Sequence, residues 1–305
     1  MDHTDFIRTL SPDIKHRLTQ KSDRKGLSHL IGHVTLIAVL AVWVGMGLWA
    51  WQIMLIPLGI AWAFLFTLQH ECTHDTPFAS TRLTTLIGHL CAVVLVQPFL
   101  WFRYFHMAHH RFTNIAGKDP ELDGETQPDT WRQFSFHLSC IGYWIAKWKV
   151  LFINAFGPID ATYIPTRAKG RIRKEARLLL AVYIGLAAVM SVWPILFWIW
   201  LLPLVFGFPV LRLYLLAEHG RCPQVANMFE NTRTTLTNKA IRFLAWNMPY
   251  HAEHHIFPTV PFHALPEFHQ KVGAHLQEVS HGYRAFAQSY VAEFASPSKA
   301  ETPKQ

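Results

Sequence analysis

Two stretches of this 305-residue chain, Gly26 to His70 and Leu178 to Leu211, contain no Asp, Glu, Lys or Arg. Each exceeds the ~20 apolar residues that one helical crossing of a bilayer needs. Each is therefore predicted to be a pair of spans joined at a tip. The rest of the composition agrees: 51% of residues are hydrophobic, 16% are charged, and there are 12 Trp and 22 Phe. That is the profile of an integral membrane protein. A third uncharged run, Leu83 to Phe102, is about one span long and carries Pro98 near its end.

The net charge of +8 does not call for nucleic acid. All 28 Lys and Arg lie outside the two long blocks, as expected where basic residues collect on the cytoplasmic side of spans. The tips, around Trp49-Ala50-Trp51 and Trp193-Pro194, have no basic residue, whereas the segments outside the blocks do. This places both tips outside and both termini in the cytoplasm. The first 25 residues are polar and carry both signs of charge, unlike a cleavable signal. Cys72, Cys91, Cys140 and Cys222 form no C-x-x-C and read as buried small side chains in a reducing compartment.

Nine of the 19 histidines fall into groups: His70 and His74 in HECTH; His106, His109 and His110 in HMAHH; His219 in AEHG; His251, His254 and His255 in HAEHH. Spacings of three and four residues put side chains on one face of a helix. A lone histidine such as His33 or His89 reads as packed and hydrogen-bonded, but several groups at the ends of apolar segments point to metal. If Leu83 to Phe102 crossed the bilayer, His70 and His74 would lie on the opposite side from His106 to His110. A re-entrant segment bent near Pro98 keeps them together. Phe136 to Phe156, interrupted by Lys147 and Lys149, is expected to lie in the membrane interface. The count is four spans.

His70-Glu71-Cys72-Thr73-His74 also matches the zinc-protease string H-E-x-x-H, with Glu71 as general base. A membrane zinc metalloprotease is thus the competing reading. It leaves both H-x-x-H-H groups unused, since catalytic zinc takes three protein ligands. Glu71-x-x-His74 and Glu278-x-x-His281 match the E-x-x-H of soluble di-iron bundles, but that reading also strands most of the histidines. Imidazole-rich coordination with open positions suits iron, and two metals of four or five ligands each would use all nine. Such a pair activates O2 for attack on an unactivated C–H bond.

At these residues the chain resembles the membrane-bound fatty acid desaturase and hydroxylase superfamily, whose three histidine boxes correspond here to His70–His74, His106–His110 and His251–His255. The resemblance covers about residues 30 to 270. "FHMAHHRFTN" with "KDPEL", and "NMPYHAEHHIFPTVPFHALPEFH", are similar to a bacterial branch that includes rhizopine-oxygenase-like proteins. The resemblance implies a di-iron centre of two iron ions, O2 as co-substrate, His219 as an extra ligand outside the boxes, and desaturation or hydroxylation of a hydrophobic, acyl-bearing lipid substrate. The first box has three intervening residues, a length found in several branches. No fused cytochrome b5 or ferredoxin motif is seen, so a separate electron donor, a ferredoxin or a cytochrome b5-like protein with its reductase, is expected. Arg167 to Lys174 offers a basic docking surface or a lipid contact.

Glu71, Glu218 and Glu253 are expected to orient imidazoles by accepting their free N–H. Asn247 is expected to hold a metal-bound water or cap a helix. The acidic stretch 118 to 129 reads as a solvated loop, with a contact surface as the alternative. The predicted fold is an all-α membrane protein: four transmembrane helices, re-entrant or interfacial helices, and a cytosolic helical cap carrying the histidines. Residues 1–28 form a cytosolic segment, 29–295 the integral domain and 296–305 a disordered tail. After His219, helices are expected at 235–247, 264–279 and 283–294.

Overall fold

The computed structural model describes residues 2–123 and 127–295. The expected tail, 296–305, lies outside the described residues. Two short helices, α1 (His3–Thr9) and α2 (Pro12–Leu18), lead into α3 (Asp23–Gly45), then α4 (Trp51–Ala63) and α5 (Leu65–Thr73). The middle of the chain holds α6 (Thr81–Leu95), α7 (Phe99–Phe112), α8 (Trp131–Ser139), α9 (Ile141–Phe156) and α10 (Thr166–Val192). A π-helical turn at Phe197–Leu201 runs into α11 (Leu202–His219). Beyond it lie α12 (Lys239–Leu244), α13 (His251–Ile256), α14 (Leu265–Val272) and α15 (Tyr283–Ala292). The strands β1 (Thr234–Thr235) and β2 (Val279–Ser280) form one short parallel pair.

Four helical stretches are long and apolar enough to cross a membrane: Pro12–Gly45, Trp51–Thr73, Thr166–Val192 and Phe197–His219. This is the all-α, four-span architecture expected from the charge-free blocks. Their outward faces keep large apolar side chains exposed, among them Ile31, Val39, Ile53, Ile184 and Val205, as lipid contact requires. The spans containing α4 and α11 cross closely because both are glycine at the crossing. A Cβ at Gly59 would lie 1.9 Å from the Pro203 carbonyl oxygen, and one at Gly207 1.9 Å from that of Gly59. Small residues let helix backbones approach where water expulsion supplies no driving force.

The third apolar run does not cross as one rod. The α6 and α7 axes differ by 100° across a short break. Val96 ends α6 in the left-handed region, φ 53°, a costly conformation for a β-branched residue. Pro98 then starts α7. Tertiary contacts hold the break. Glu175, reaching from α10, accepts the Phe99 and Leu100 amide N–H groups, each at 2.9 Å, so two of the orphan donors in the first turn of α7 are satisfied. Gln69 Nε2 donates to the Gln97 carbonyl at 2.9 Å, and the buried Lys147 ammonium donates to Gln97 Oε1.

The segment after α11 contains less helix than its apolar spacing suggests. The expected 235–247 helix shrinks to α12, capped by Asn238 at its start and ended where Trp246 and Asn247 take positive φ. The expected 264–279 helix becomes α14, a 3-10 turn and β2. This short-element region, together with α1 and α2, packs over the histidine-bearing ends of α5, α7 and α11. Phe6, for example, packs edge-on against Phe229.

Candidate metal centre

All nine grouped histidines converge. His70, His74, His106, His110 and His254 each offer a ring nitrogen, and these five atoms lie within 4.8 Å of one another. His109, His219 and His255 do the same in a second set. His251 joins that second set, with its Nε2 3.1 Å from the Nε2 of both His219 and His255. The sets touch where the His110 and His255 rings stack at 3.9 Å. Seven of the nine residues are buried, and His74 and His219 are the partly exposed ones.

Helical repeat explains the local aim. The 3- and 4-residue spacings put His70 and His74 on one face of α5 with its end, and His106, His109 and His110 along one side of α7. The 100° bend then carries α7 back toward the end of α5. The result brings His106 Nε2 to 2.9 Å from His74 Nε2. On α13, His254 Nε2 reaches both His74 at 3.1 Å and His110 at 3.2 Å.

Proton accounting tests whether the rings suit a cation. A neutral imidazole has one N–H, so a donating Nδ1 leaves a lone pair on Nε2. His109 Nδ1 lies 3.0 Å from both Asp119 oxygens, and His219 Nδ1 lies 3.2 Å from the Asn231 carbonyl. The Thr113 hydroxyl donates to the His109 carbonyl at 2.9 Å, so its oxygen accepts from His255 Nδ1 at 3.1 Å. His251 Nδ1 faces Glu218 Oε1 at 3.3 Å. The Nε2 lone pairs of His109, His219 and His255 therefore turn toward one another in a set within 4.8 Å, with His109 and His219 Nε2 only 3.2 Å apart. Such a set repels itself unless a cation sits among it. Nitrogens at a metal distance of roughly 2.1 Å are separated by about 3 Å along an octahedral edge. In the first set, both ring nitrogens of His70 are buried without a hydrogen-bond partner. The residues fit metal.

Burial pushes His251, His254 and His255 well below the ordinary histidine range, and neighbouring rings add to the effect. Neutral imidazole is the ligating form. Burial pushes the Asp119 carboxyl up, but the His109 ring and the Glu121 and Asn114 amides outweigh it and leave it low.

The expected supporting residues divide. Glu218 faces His251. Glu71 Oε2 accepts the Phe262 amide and the Thr76 hydroxyl, each at 3.0 Å, while its other oxygen lies 4.0 Å from His254 Nδ1. Glu253 turns away from the nine histidines: its carboxylate accepts from His269 Nδ1 and the Thr234 hydroxyl. Asn247 caps no helix, since the N-cap position of α13 is Tyr250 and no side chain caps it. Its amide instead donates to the Phe262 carbonyl at 3.0 Å.

Sequence reasoning missed Asp119, Thr113 and Asn231. The acidic stretch read as a solvated loop sends Asp119, 1% exposed, into the site. Thr113, four residues after His109, had a helical-spacing signal. Asn231 had none, because the loop after α11 places it.

A model of the fatty acid desaturase domain matches residues 50–287. An omega-3 fatty acid desaturase of Caenorhabditis elegans is 24% identical over 78% of this chain and 65% of its own length. An sn-1 oleoyl-lipid 12-desaturase of Arthrospira platensis is 22% identical over 73% of this chain and 69% of its own length. A dihydrorhizobitoxine desaturase of Bradyrhizobium elkanii is 27% identical over 71% and 66%. The chain thus spans about two thirds of the length of these relatives. With the match covering most of the chain and all nine grouped histidines, the chain belongs to the fatty acid desaturase family.

Proposed function

We propose that this protein is a membrane oxidoreductase that uses O2 and two irons to desaturate a hydrophobic, acyl-bearing substrate. The observation that carries this reading is the pair of adjoining imidazole sets, with the Nε2 lone pairs of His109, His219 and His255 turned toward one another in the second. His70, His74, His106, His110 and His254 would hold one iron. His109, His219, His251 and His255 would hold the other. Bound there, the irons supply the two-electron oxidation of a C–H bond with O2 as oxidant. A separate electron donor, a ferredoxin or a cytochrome b5-like protein, completes the electron balance.

The chain's own residues prepare that site. Asp119, Asn231 and Thr113 select the Nδ1–H tautomer of the rings they face, so that Nε2 points inward, and Glu218 lies 3.3 Å from His251 Nδ1. Phe66 and Phe102, whose rings lie 5.5 Å apart, pack beside His70 and His106. There they exclude water and present an apolar wall to an alkyl chain. Positive-inside charge puts the metal end and the N-terminus on the cytoplasmic side. The relatives named above as desaturases favour hydrogen removal over hydroxylation.

The test is product analysis in cells expressing the protein, with metal measured on the purified chain. The expected result is a product with two fewer hydrogens and two irons per chain, both lost in His110→Ala and His255→Ala. Survival of activity in both variants, or one zinc in place of iron, would overturn the proposal.

A further inference from the structure

A cavity of about 700 Å³ opens beside the first turns of α3. Its charged and polar wall includes Arg24, Lys25, Ser28 and His263, with Ser22, His29 and Asn247 also lining it, and its apolar wall is Phe243 and Phe262. No acidic residue lines it. Arg24 and Lys25 are exposed, and neither makes an ion pair among the described residues. Both ring nitrogens of His263 are occluded and lack a hydrogen-bond partner. Two uncompensated cations, a hydroxyl and an unsatisfied imidazole thus converge on one volume.

We propose that this cavity binds the phosphate of an anionic membrane lipid. The apolar surface continues from it. Arg24, Ser28 and Ile31 lie at i, i+4 and i+7 on α3, so they share a face. Leu27, Ile31 and Val34 are exposed along the adjoining surface at 37%, 64% and 49%. A phosphate held by Arg24, Lys25 and Ser28 leaves acyl chains lying down α3, while Phe243 and Phe262 flank the glycerol. Basic pockets at span ends recognise anionic headgroups in this way.

The cavity also has a mechanical link to the histidines. The Phe262 amide donates to Glu71 Oε2 at 3.0 Å, and the Phe262 carbonyl accepts from Asn247. The site stands whether or not the irons do, because its residues are not among the nine histidines.

The test uses the full chain in nanodiscs of equimolar phosphatidylglycerol and phosphatidylcholine, extracted into neutral detergent and read by native mass spectrometry. The expected result is retained phosphatidylglycerol in preference to phosphatidylcholine, falling about tenfold or more in Arg24→Gln/Lys25→Gln. His263→Ala, which leaves the lysine and arginine count unchanged, should also lower retention. Arg132→Gln/Arg284→Gln removes the same charge at exposed positions elsewhere and should retain the lipid. Equal retention in all variants, equal loss in the Arg132/Arg284 pair, or no preference for phosphatidylglycerol overturns the proposal. A melting-temperature rise with inorganic phosphate alone, absent in Arg24→Gln/Lys25→Gln and without retained lipid, would overturn the lipid as source and assign the site to free phosphate. The single variant Lys25→Gln provides the same readout should the double variant not fold.

Discussion

At the scale of single residues, His109, His219 and His255 depend on partners that set which nitrogen faces inward. Asp119→Asn replaces an acceptor-only carboxylate with a group that also donates, so the His109 tautomer is no longer selected. Metal affinity or activity is expected to fall about 10–100-fold, measured by iron content and product formation. Unchanged values would mean that Asp119 serves only the loop. Acid sensitivity follows from the same burial. In the metal-free chain, His251, His254 and His255 have folded-state values below the ordinary histidine range, and His263 is pushed by burial to about 4. Between roughly pH 6.5 and lower values the unfolded chain takes up protons that the folded chain refuses. Stability of the chelator-treated protein is therefore full above that range and declines as pH falls through it, readable as a melting-temperature series. The histidines themselves were legible in the sequence, since their spacing is helical. Asp119 was not, because a charged loop residue looks solvated until the chain beside it is known to fold inward.

At the scale of elements, the α6–α7 bend and the α4–α11 crossing do most to place the site. Glu175→Gln removes the charge that caps α7 through two backbone N–H groups. A hydrogen bond to a charged group contributes about 1.5–3 kcal/mol. A loss near that size should appear in thermal unfolding, with iron content reduced because α7 carries His106, His109 and His110. Gly207→Val would drive a side chain into the Gly59 backbone. Overpacking of this kind costs about 1–3 kcal/mol or more, and a melting temperature equal to that of the unsubstituted protein would show that the crossing is not tight. Pro98 marked the bend in the sequence. Its angle, and the left-handed turn at Val96, follow from contacts with Gln69, Lys147 and Glu175 that no local pattern encodes. The C-terminal helices were overextended for a related reason: apolar spacing continues through 235–247, but positive φ at Trp246 and Asn247 ends α12.

For the whole molecule, the arrangement of charge predicts sidedness. All four cysteines are buried, so a single introduced thiol reports accessibility cleanly. Thr4→Cys should label only from the cytoplasmic side and Trp49→Cys, at an 88% exposed position, only from the other. The reverse pattern would sink the cytoplasmic placement of the metal end. What the sequence alone determined is the four-span, all-helical plan, because charge-free length and the need to satisfy backbone hydrogen bonds in lipid leave few options. It also determined which imidazoles were candidates. Tertiary structure alone decided that His106 to His110 return to the end of α5, and that they divide with the others into two sets. It also decided that Asp119, Thr113 and Asn231 orient the rings. Those outcomes depend on where separate helices meet in space, and a helical period reports only which side of its own helix a residue occupies.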